Sequence, residues 1–293
     1  MTHFVILAQG NPLVVNQQVT KNYLGAVSVA GGEAIHKHLL KVGKMTFLEH
    51  NIEALFSVEK NPTITVVATP DTVDGLALAP GVKVMTLPVT RGTTLLGSMA
   101  QLRHDYLQQE YGETAFFMLG DVLWSRSDIR GPLASRSPLV FVGSLDRGIF
   151  GVVAAEPEAG LDTAIRKFIQ SEARYKRDLN SLYAYMSGLP VSRGVSKATA
   201  ILYPVLGFTD DIDSEDEIRT RLPGLVRAAR EEDAVYINAK ASKRMQEAQQ
   251  PADDTKEEGK SDGQSTDDSG GGTPAPKATG RRTRRDSQSM VGK

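Results

Sequence analysis

The chain has 293 residues, with 34 Lys and Arg against 35 Asp and Glu for a formal net charge of −1, and it contains no cysteine. Disulfides, thiolate metal sites and a cysteine nucleophile are therefore excluded, and no global field marks the chain as a nucleic-acid binder. No apolar run approaches the ~18 residues of a membrane helix, and "MTHFVILAQG" lacks the basic start of a signal peptide, so the expectation is a soluble protein of the reducing cytoplasm.

"HFVILAQ" (3–9) is an apolar run ended by Gly10 and Pro12 and predicts a buried strand. "TFLEHNIEALFS" (46–57) places Phe47, Leu48, Ile52, Leu55 and Phe56 on one helical face, with Thr46 and Glu49 spaced as a capping box. "TITVVAT" (63–69) and "VKVMTLP" (82–88) read as a second and a third strand. "TTLLGSMAQLRHDYLQQEYG" (93–112) reads as a long amphipathic helix closed by Gly112, and "TAFFMLGD" (114–121) as a fourth strand. "PLVFVGSLD" (138–146) and "GIFGVVAAE" (148–156) form a hairpin-like pair. Helices are expected over 161–170, 178–188 and 214–232, the last kinked or split at Pro223, with a strand over 198–205. Strands alternating with helices predict a mostly parallel, Rossmann-like α/β sheet flanked by helices, in a single domain over residues 1–245. From about Ser242 apolar residues stop recurring. Residues 246–293 read as a disordered tail, acidic over 253–268 and basic at "RRTRR" (281–285), a cluster suited to phosphates or an acidic partner.

Several loop positions carry chemistry. The Gly-containing turn after the first strand, "ILAQGNP", can present backbone N–H groups to an anion, or be an ordinary turn. Lys37 can neutralise phosphates. In "PVTRGTTLLGS" (88–98) the hydroxyls of Thr93, Thr94 and Ser98 suit hydrogen bonds to a base or phosphate, or cap the helix. Asp121 ends the fourth strand, at the edge where open α/β sheets bind nucleotides. Asp211 and Asp213 are two apart in "TDDIDSEDEI" (209–218), so an extended segment points both the same way. With Asp121 they offer the oxygen ligands that Mg2+ prefers. Ser214 and Glu217 in the same stretch also fit a capping box. His36 and His38, spaced at two with no carboxylate beside them, do not form a metal site.

In this order the pieces resemble the nucleotidyltransferase superfamily of GT-A-like α/β fold, enzymes that make nucleotide sugars and related activated metabolites, over roughly residues 3–220. The matching stretches are "ILAQG", "KHLLKVGKMTFLEHNIEAL", "TRGTTLLGS", "LGDVLW" and "DDIDSEDEI". The resemblance implies Mg2+-dependent transfer of a nucleotidyl group from an NTP to a phosphorylated small-molecule acceptor such as a sugar phosphate, with release of pyrophosphate. It places Leu7, Ala8, Gln9, Gly10 and Asn11 at the nucleotide, Lys37 as the phosphate lysine, and Gly92, Thr93 and Ser98 near the base. Asp121, with Asp211 or Asp213, falls on the metal. The loops 143–150 and 170–190 would build the acceptor pocket. The chain reads "GNPLVVNQQV" where the family has G-x-G-x-R, and "TKNYLGAVSVAGGE" offers Lys21 for the role of Lys37. "YINAKASKRMQEA" (236–248) is a second match to the late metal segment, with Asn238 in the metal position, and the fuller acidic pattern favours 211–213. Other readings use the same residues: a glycosyltransferase with a nucleotide-sugar donor, although "GDV" replaces its D-x-D, or a non-catalytic nucleotide-binding or interaction protein tethered by its tail. A nucleic-acid-modifying enzyme docked through "RRTRR" is a further reading, unaccompanied by any base-reading motif.

Overall fold

The computed structural model describes residues 2–9, 13–15, 27–29, 32–68, 78–86, 95–102, 114–155, 160–171, 178–188 and 200–249. The chain divides into two compact units, Met1–Met245 and Gln246–Lys293, and every described strand lies in the first. The "RRTRR" cluster, Gly10, Asn11, Lys21, Gly92 and Thr93 lie outside the described residues. Among the described residues no helix is long and apolar enough to cross a membrane.

The first strand, β1 (His3–Ala8), is followed by a small antiparallel sheet of β2 (Leu13–Val15), β3 (Val27–Val29) and β4 (Gly32–Ile35). A 3-10 turn (Lys37–Leu39) leads into a hairpin of β5 (Lys41–Val42) and β6 (Met45–Thr46). Helix α1 (Phe47–Val58) starts at Thr46, whose side chain accepts from Glu49 N–H while Glu49 accepts from Thr46 N–H, the expected capping box. Then come β7 (Thr63–Ala68), β8 (Lys83–Thr86), α2 (Leu95–Leu102), β9 (Thr114–Leu119), the short β10 (Val122–Leu123) and α3 (Arg126–Leu133). The chain continues through β11 (Leu139–Ser144), β12 (Gly148–Ala155), α4 (Leu161–Ser171), α5 (Leu179–Gly188), β13 (Ile201–Pro204), β14 (Asp210–Asp211), α6 (Glu215–Thr220) and α7 (Leu222–Gln249).

Seven strands form the main sheet in the order β13-β11-β12-β9-β1-β7-β8. The pairs β9–β1, β1–β7, β7–β8 and β11–β13 are parallel, and β12 runs antiparallel to both its neighbours. The mostly parallel α/β sheet expected from strand–helix alternation is thus present, and 138–156 is a true hairpin. Side chains of β1 alternate between the two faces, as a strand requires. Val5 and Leu7 pack with Leu96, Met99, Phe117, Phe141 and Phe168 on one face. Phe4, Ile6 and Ala8 pack with Leu48, Ile52, Leu55, Phe116 and Trp124 on the other.

A third, smaller core lies under the elements that cross the end of the sheet. It joins Ile35, Leu40, Val42, Phe47, Leu123, Ile212, Ile218, Leu222 and Ala229. Here β10 pairs antiparallel with β14, Val122 opposite Asp211 and Leu123 opposite Asp210. Asn51 holds β10 from below: its Nδ2 donates to Val122 O at 2.8 Å and its Oδ1 accepts from Trp124 N–H at 3.0 Å.

One helix was not foreseen and one expectation changes. The stretch after Leu123, for which the sequence predicted no element, is α3, capped by Ser125, whose hydroxyl accepts from Asp128 N–H. Gly131 and Pro132 conceal it in the sequence, but Pro132 stands within two residues of the helix end, where tertiary packing carries the turn. The expected helix 214–232 breaks at Arg221, not at Pro223, and then runs on to Gln249. Pro223 sits in the first turn of α7, where its missing N–H costs nothing.

Two outcomes follow. Asn51→Ala removes both bonds to β10 in a buried setting, and should cost roughly 2–4 kcal/mol of unfolding free energy by urea denaturation. His50, buried on α1 with Nε2 3.8 Å from Asp233 Oδ1, has its pKa lowered to about 4 by burial and by Arg126, against the pull of Asp233. The unfolded chain then binds the proton near the ordinary 6.5 and the folded one only near 4, so stability falls as pH drops through that window. His50→Gln should flatten this slope, which amounts to roughly 3 kcal/mol at most, read from urea midpoints at pH 7 and pH 4.5.

Candidate active site

The carboxyl end of β9 lies against β1 with little clearance. Gly120 donates its N–H to Leu7 O at 2.9 Å, and a Cβ on Gly120 would stand 3.0 Å from Ala8 Cβ and 3.1 Å from Ile6 Cγ2. A glycine permits this approach, and the next residue, Asp121, turns out over the end of the sheet. Val122 follows, fully buried. The second acidic segment obeys the same alternation. Ile212 is fully buried in the third core, so its neighbours Asp211 and Asp213 both point away from that core.

Lys37 meets them. Its Nζ lies 2.9 Å from Asp121 Oδ2 and donates to Asp213 Oδ1 at 2.6 Å across 176 positions of sequence. The lysine side chain is 13% exposed and that of Asp213 66%. Lys37 is fixed by its neighbours: Ile35, Leu39 and Leu40 are buried around the 3-10 turn that carries it. Burial works against a charge on Lys37, but Asp121 and Asp213 outweigh it and hold its pKa above the ordinary 10.5. Partial burial pulls Asp213 up, yet Lys37 wins and keeps that carboxyl below 3.8. Asp211 goes the other way. Burial and the charge of Asp213, with a smaller share from Asp121, push it up to about 7 against the attraction of Lys37. Two carboxylates thus share one ammonium, while burial, with Asp213 beside it, favours the protonated form of Asp211.

Among the described residues no group of three His, Asp or Glu side chains is placed together to hold a metal ion. The donor set nevertheless fits a hard cation. Asp121 and Asp213 converge on one point, and Mg2+ is commonly held by one or two carboxylates with the remaining positions taken by water and substrate oxygens.

The other expected positions divide. Gln9 follows β1, and its Oε1 accepts from Ser98 Oγ of α2 at 2.8 Å, while its Nε2 is buried with no partner among the described residues. An unspent buried donor beside a hydroxyl at the end of β1 suits a ligand acceptor atom. Leu7 and Ala8 are buried in the two cores, so their side chains are structural. Asn238 is exposed on α7, and the segment 236–248 is helix, not the extended acidic loop that 211–213 forms. Sequence reasoning missed Asp128, which is buried and accepts from Leu206 N–H at 2.9 Å and Gly207 N–H at 3.0–3.1 Å, fastening the approach to β14. The spacing Ser125–Asp128 was its visible signal, as the start of a helix.

Beside β14 a cleft of about 540 Å3 opens between the β11–β12 turn and α5, lined by Ser144, Leu145, Arg147, Asn180, Tyr183 and Ser187. These fall in the loops 143–150 and 170–190 named from the sequence. Asn180 Oδ1 accepts from Ile149 N–H at 2.6 Å and ties the two walls together. Arg147 Nη1 lies 3.7 Å from Asp210 Oδ2, linking the cleft to the acidic segment.

A sheet of this order, with helices on both faces, is a GT-A-like fold. Solved structures that share it include a protein assigned as a glucose-1-phosphate thymidylyltransferase from Bacillus anthracis, 13% identical, with a TM-score of 0.50 over 78% of this chain and 96% of that one. Another is the inositol-1-phosphate CTP transferase from T. maritima, 11% identical, with a TM-score of 0.50 over 79% of this chain and 97% of that one. At these identities the likeness is one of fold. No protein-family model matches the chain, and no curated protein is similar to it in sequence.

Replacing Lys37 by Met should leave the acidic cluster uncompensated. The expected loss is roughly 1–2 kcal/mol at pH 8, after discounting for solvent screening at Asp213. Because the folded pKa of Asp213 lies below 3.8, the deficit should persist above that value and close as pH falls below it. Thermal midpoints of both proteins across pH 3–8 check this.

Proposed function

We propose that the protein is a Mg2+-dependent nucleotidyltransferase, joining the nucleotidyl group of an NTP to a phosphorylated small-molecule acceptor and releasing pyrophosphate. The observation that carries the reading is the meeting of Lys37, Asp121 and Asp213, from distant parts of the chain, at the carboxyl ends of the parallel strands. That edge is where open α/β sheets bind nucleotides. The assignments of the solved structures with this fold, thymidylyl and CTP transfer to sugar or inositol phosphates, support the same class.

In this reading Asp121 and Asp213 would hold the cation, with Asp211 beside them, and a bound Mg2+ would supply charge neutralisation for the triphosphate. Lys37, at the same point, would pair with phosphate oxygens. Gln9 Nε2 and Ser98 offer hydrogen bonds to the nucleotide, and the 540 Å3 cleft with Arg147, Asn180 and Tyr183 receives the acceptor. An acceptor phosphate oxygen attacks the α-phosphorus in line, the bond to the bridging oxygen breaks, and pyrophosphate leaves. The chemistry asks for positioning and charge neutralisation and needs no covalent nucleophile.

Thermal unfolding of the full chain against the four NTPs and UDP-sugars, with and without Mg2+, tests the proposal. One NTP should raise the midpoint only with Mg2+, as a ligand at a hundredfold its dissociation constant stabilises by about 2.7 kcal/mol. Asp121→Asn should abolish the shift while leaving the apo midpoint within a few degrees. A shift with a nucleotide sugar alone would point to glycosyl transfer, and no shift with any of them would overturn the nucleotide site.

A further inference from the structure

The segment that carries Asp211 and Asp213 is fastened at both ends by one side chain. Arg221, in the turn between α6 and α7, donates through Nη2 to Asp210 Oδ2 and through Nη1 to Glu217 Oε1 at 2.5 Å. The second oxygen of Glu217 accepts from Asp213 N–H at 2.6 Å, and Asp210 Oδ1 accepts from Asp211 N–H at 3.1 Å. A closed circuit results, running from Asp210 through Asp211, Ile212 and Asp213 to Glu217 and back through the guanidinium. The pKa of Arg221 stands above its ordinary value, with the hydrogen bond to Asp210 as the main cause.

The circuit answers an electrostatic problem. Residues 210–217 crowd six carboxyl groups into eight positions, among them Asp210, Asp211, Asp213 and Glu217, and Asp210 is only 5% exposed. Lys37 reaches Asp213 but is not bonded to Asp210 or Glu217. Arg147 lies at 3.7 Å from the Asp210 oxygen that Arg221 holds, so its hold is the weaker of the two. A guanidinium holds two carboxylates through separate nitrogens in fixed, coplanar directions, whereas an ammonium presents one rotatable point charge that must stand within reach of both. Arg219, two residues earlier, pairs with Glu215, four positions back on the same helix.

We infer that Arg221 is a positioning residue: its bridge between Asp210 and Glu217 sets the conformation in which Asp211 and Asp213 face Lys37, and through it the affinity of the site for a divalent cation. The second half of this statement rests on the proposed nucleotidyltransferase reading, and the first half does not.

The test uses the full chain and the variants Arg221→Gln, Arg221→Lys and Arg219→Gln. Amide hydrogen exchange, followed by NMR without any ligand, reads the first half. Exchange at Asp211 and Asp213 should rise about tenfold or more in Arg221→Gln, reflecting a local opening, while amides of β1 and β9 stay unchanged. Arg221→Lys should fail to restore protection if the fork matters, and full rescue by Lys would reduce Arg221 to a charge balance and overturn the positioning role. Arg219→Gln should match wild type. Should Arg221→Gln fail to fold, Arg221→Lys carries the same comparison. Unchanged protection at Asp213 in a folded Arg221 variant overturns the inference. The second half is read by Mn2+ titration followed by EPR, with no turnover involved. Both Arg221 variants should bind about tenfold more weakly or worse, as the loss of a residue behind a metal ligand typically does. Equal Mn2+ affinity despite faster exchange overturns the link to the cation. A wild-type protein that binds no Mn2+ removes the metal reading itself, while the exchange data still decide what Arg221 positions.

Discussion

Two carboxylates held on one ammonium, with a third acid beside them, are the constraint that the end of this molecule is built to meet. Asp121 and Asp213 meet on Lys37, and Asp211 stands next to them with its pKa raised by burial and then by Asp213. Left to local preference, such a cluster would spread into water. Here each member is pinned by an apolar neighbour one position away: Val122 beside Asp121, and Ile212 between Asp211 and Asp213. The hydrophobic burial of these neighbours, worth roughly 1.5–3 kcal/mol for each large aliphatic side chain, holds the acids in place. The electrostatic strain is thereby sustained by two cores, Ile212 in the small one at the end of the sheet and Val122 in the larger one shared with Phe4, Ile6 and Trp124.

Polar anchors complete the support. Asn51 ties β10 to α1, Asp128 ties the approach to β14 onto α3, and Arg221 closes the acidic segment onto α6. Arg126, buried at the start of α3, binds Ser57 on one side and Asp233 of α7 on the other, so the long helix is fixed to the same block. Each anchor satisfies backbone groups or charges that burial would otherwise leave unpaired, which is why they sit below the site and not within it. The arrangement leaves the functional groups with unspent capacity. Asp213 remains largely exposed, and Gln9 retains a buried donor.

The cleft beside β14 gains meaning from this geometry. Its wall at Arg147 lies 3.7 Å from Asp210, which Arg221 also holds, so the proposed acceptor pocket is tied to the segment that carries Asp211 and Asp213. A buried acid between two guanidinium groups joins the two places with few parts.

The sequence by itself determined the alternation of strands and helices, the capping box at Thr46 and Glu49, the turn of Asp121 at the end of the fourth strand, and the common orientation of Asp211 and Asp213. All of these are local: they follow from periods of two and of 3.6 residues and from caps read within a few positions. It did not reveal α3, because Gly131 and Pro132 argue against a helix that packing maintains, nor the continuation of α7 through a polar segment whose helicity no apolar stripe announces. The fuller acidic pattern already favoured Asp211–Asp213 over Asn238. Only the tertiary structure decided that Lys37 reaches both Asp121 and Asp213, that 236–248 is part of a long helix, and that Asp128 and Arg221 brace the acidic segment. Those contacts join residues far apart in the chain, and no periodicity encodes them. They exist because the sheet order brings β1, β9 and the β10–β14 ladder to one edge, where burial of Val122 and Ile212 fixes which way the charges face.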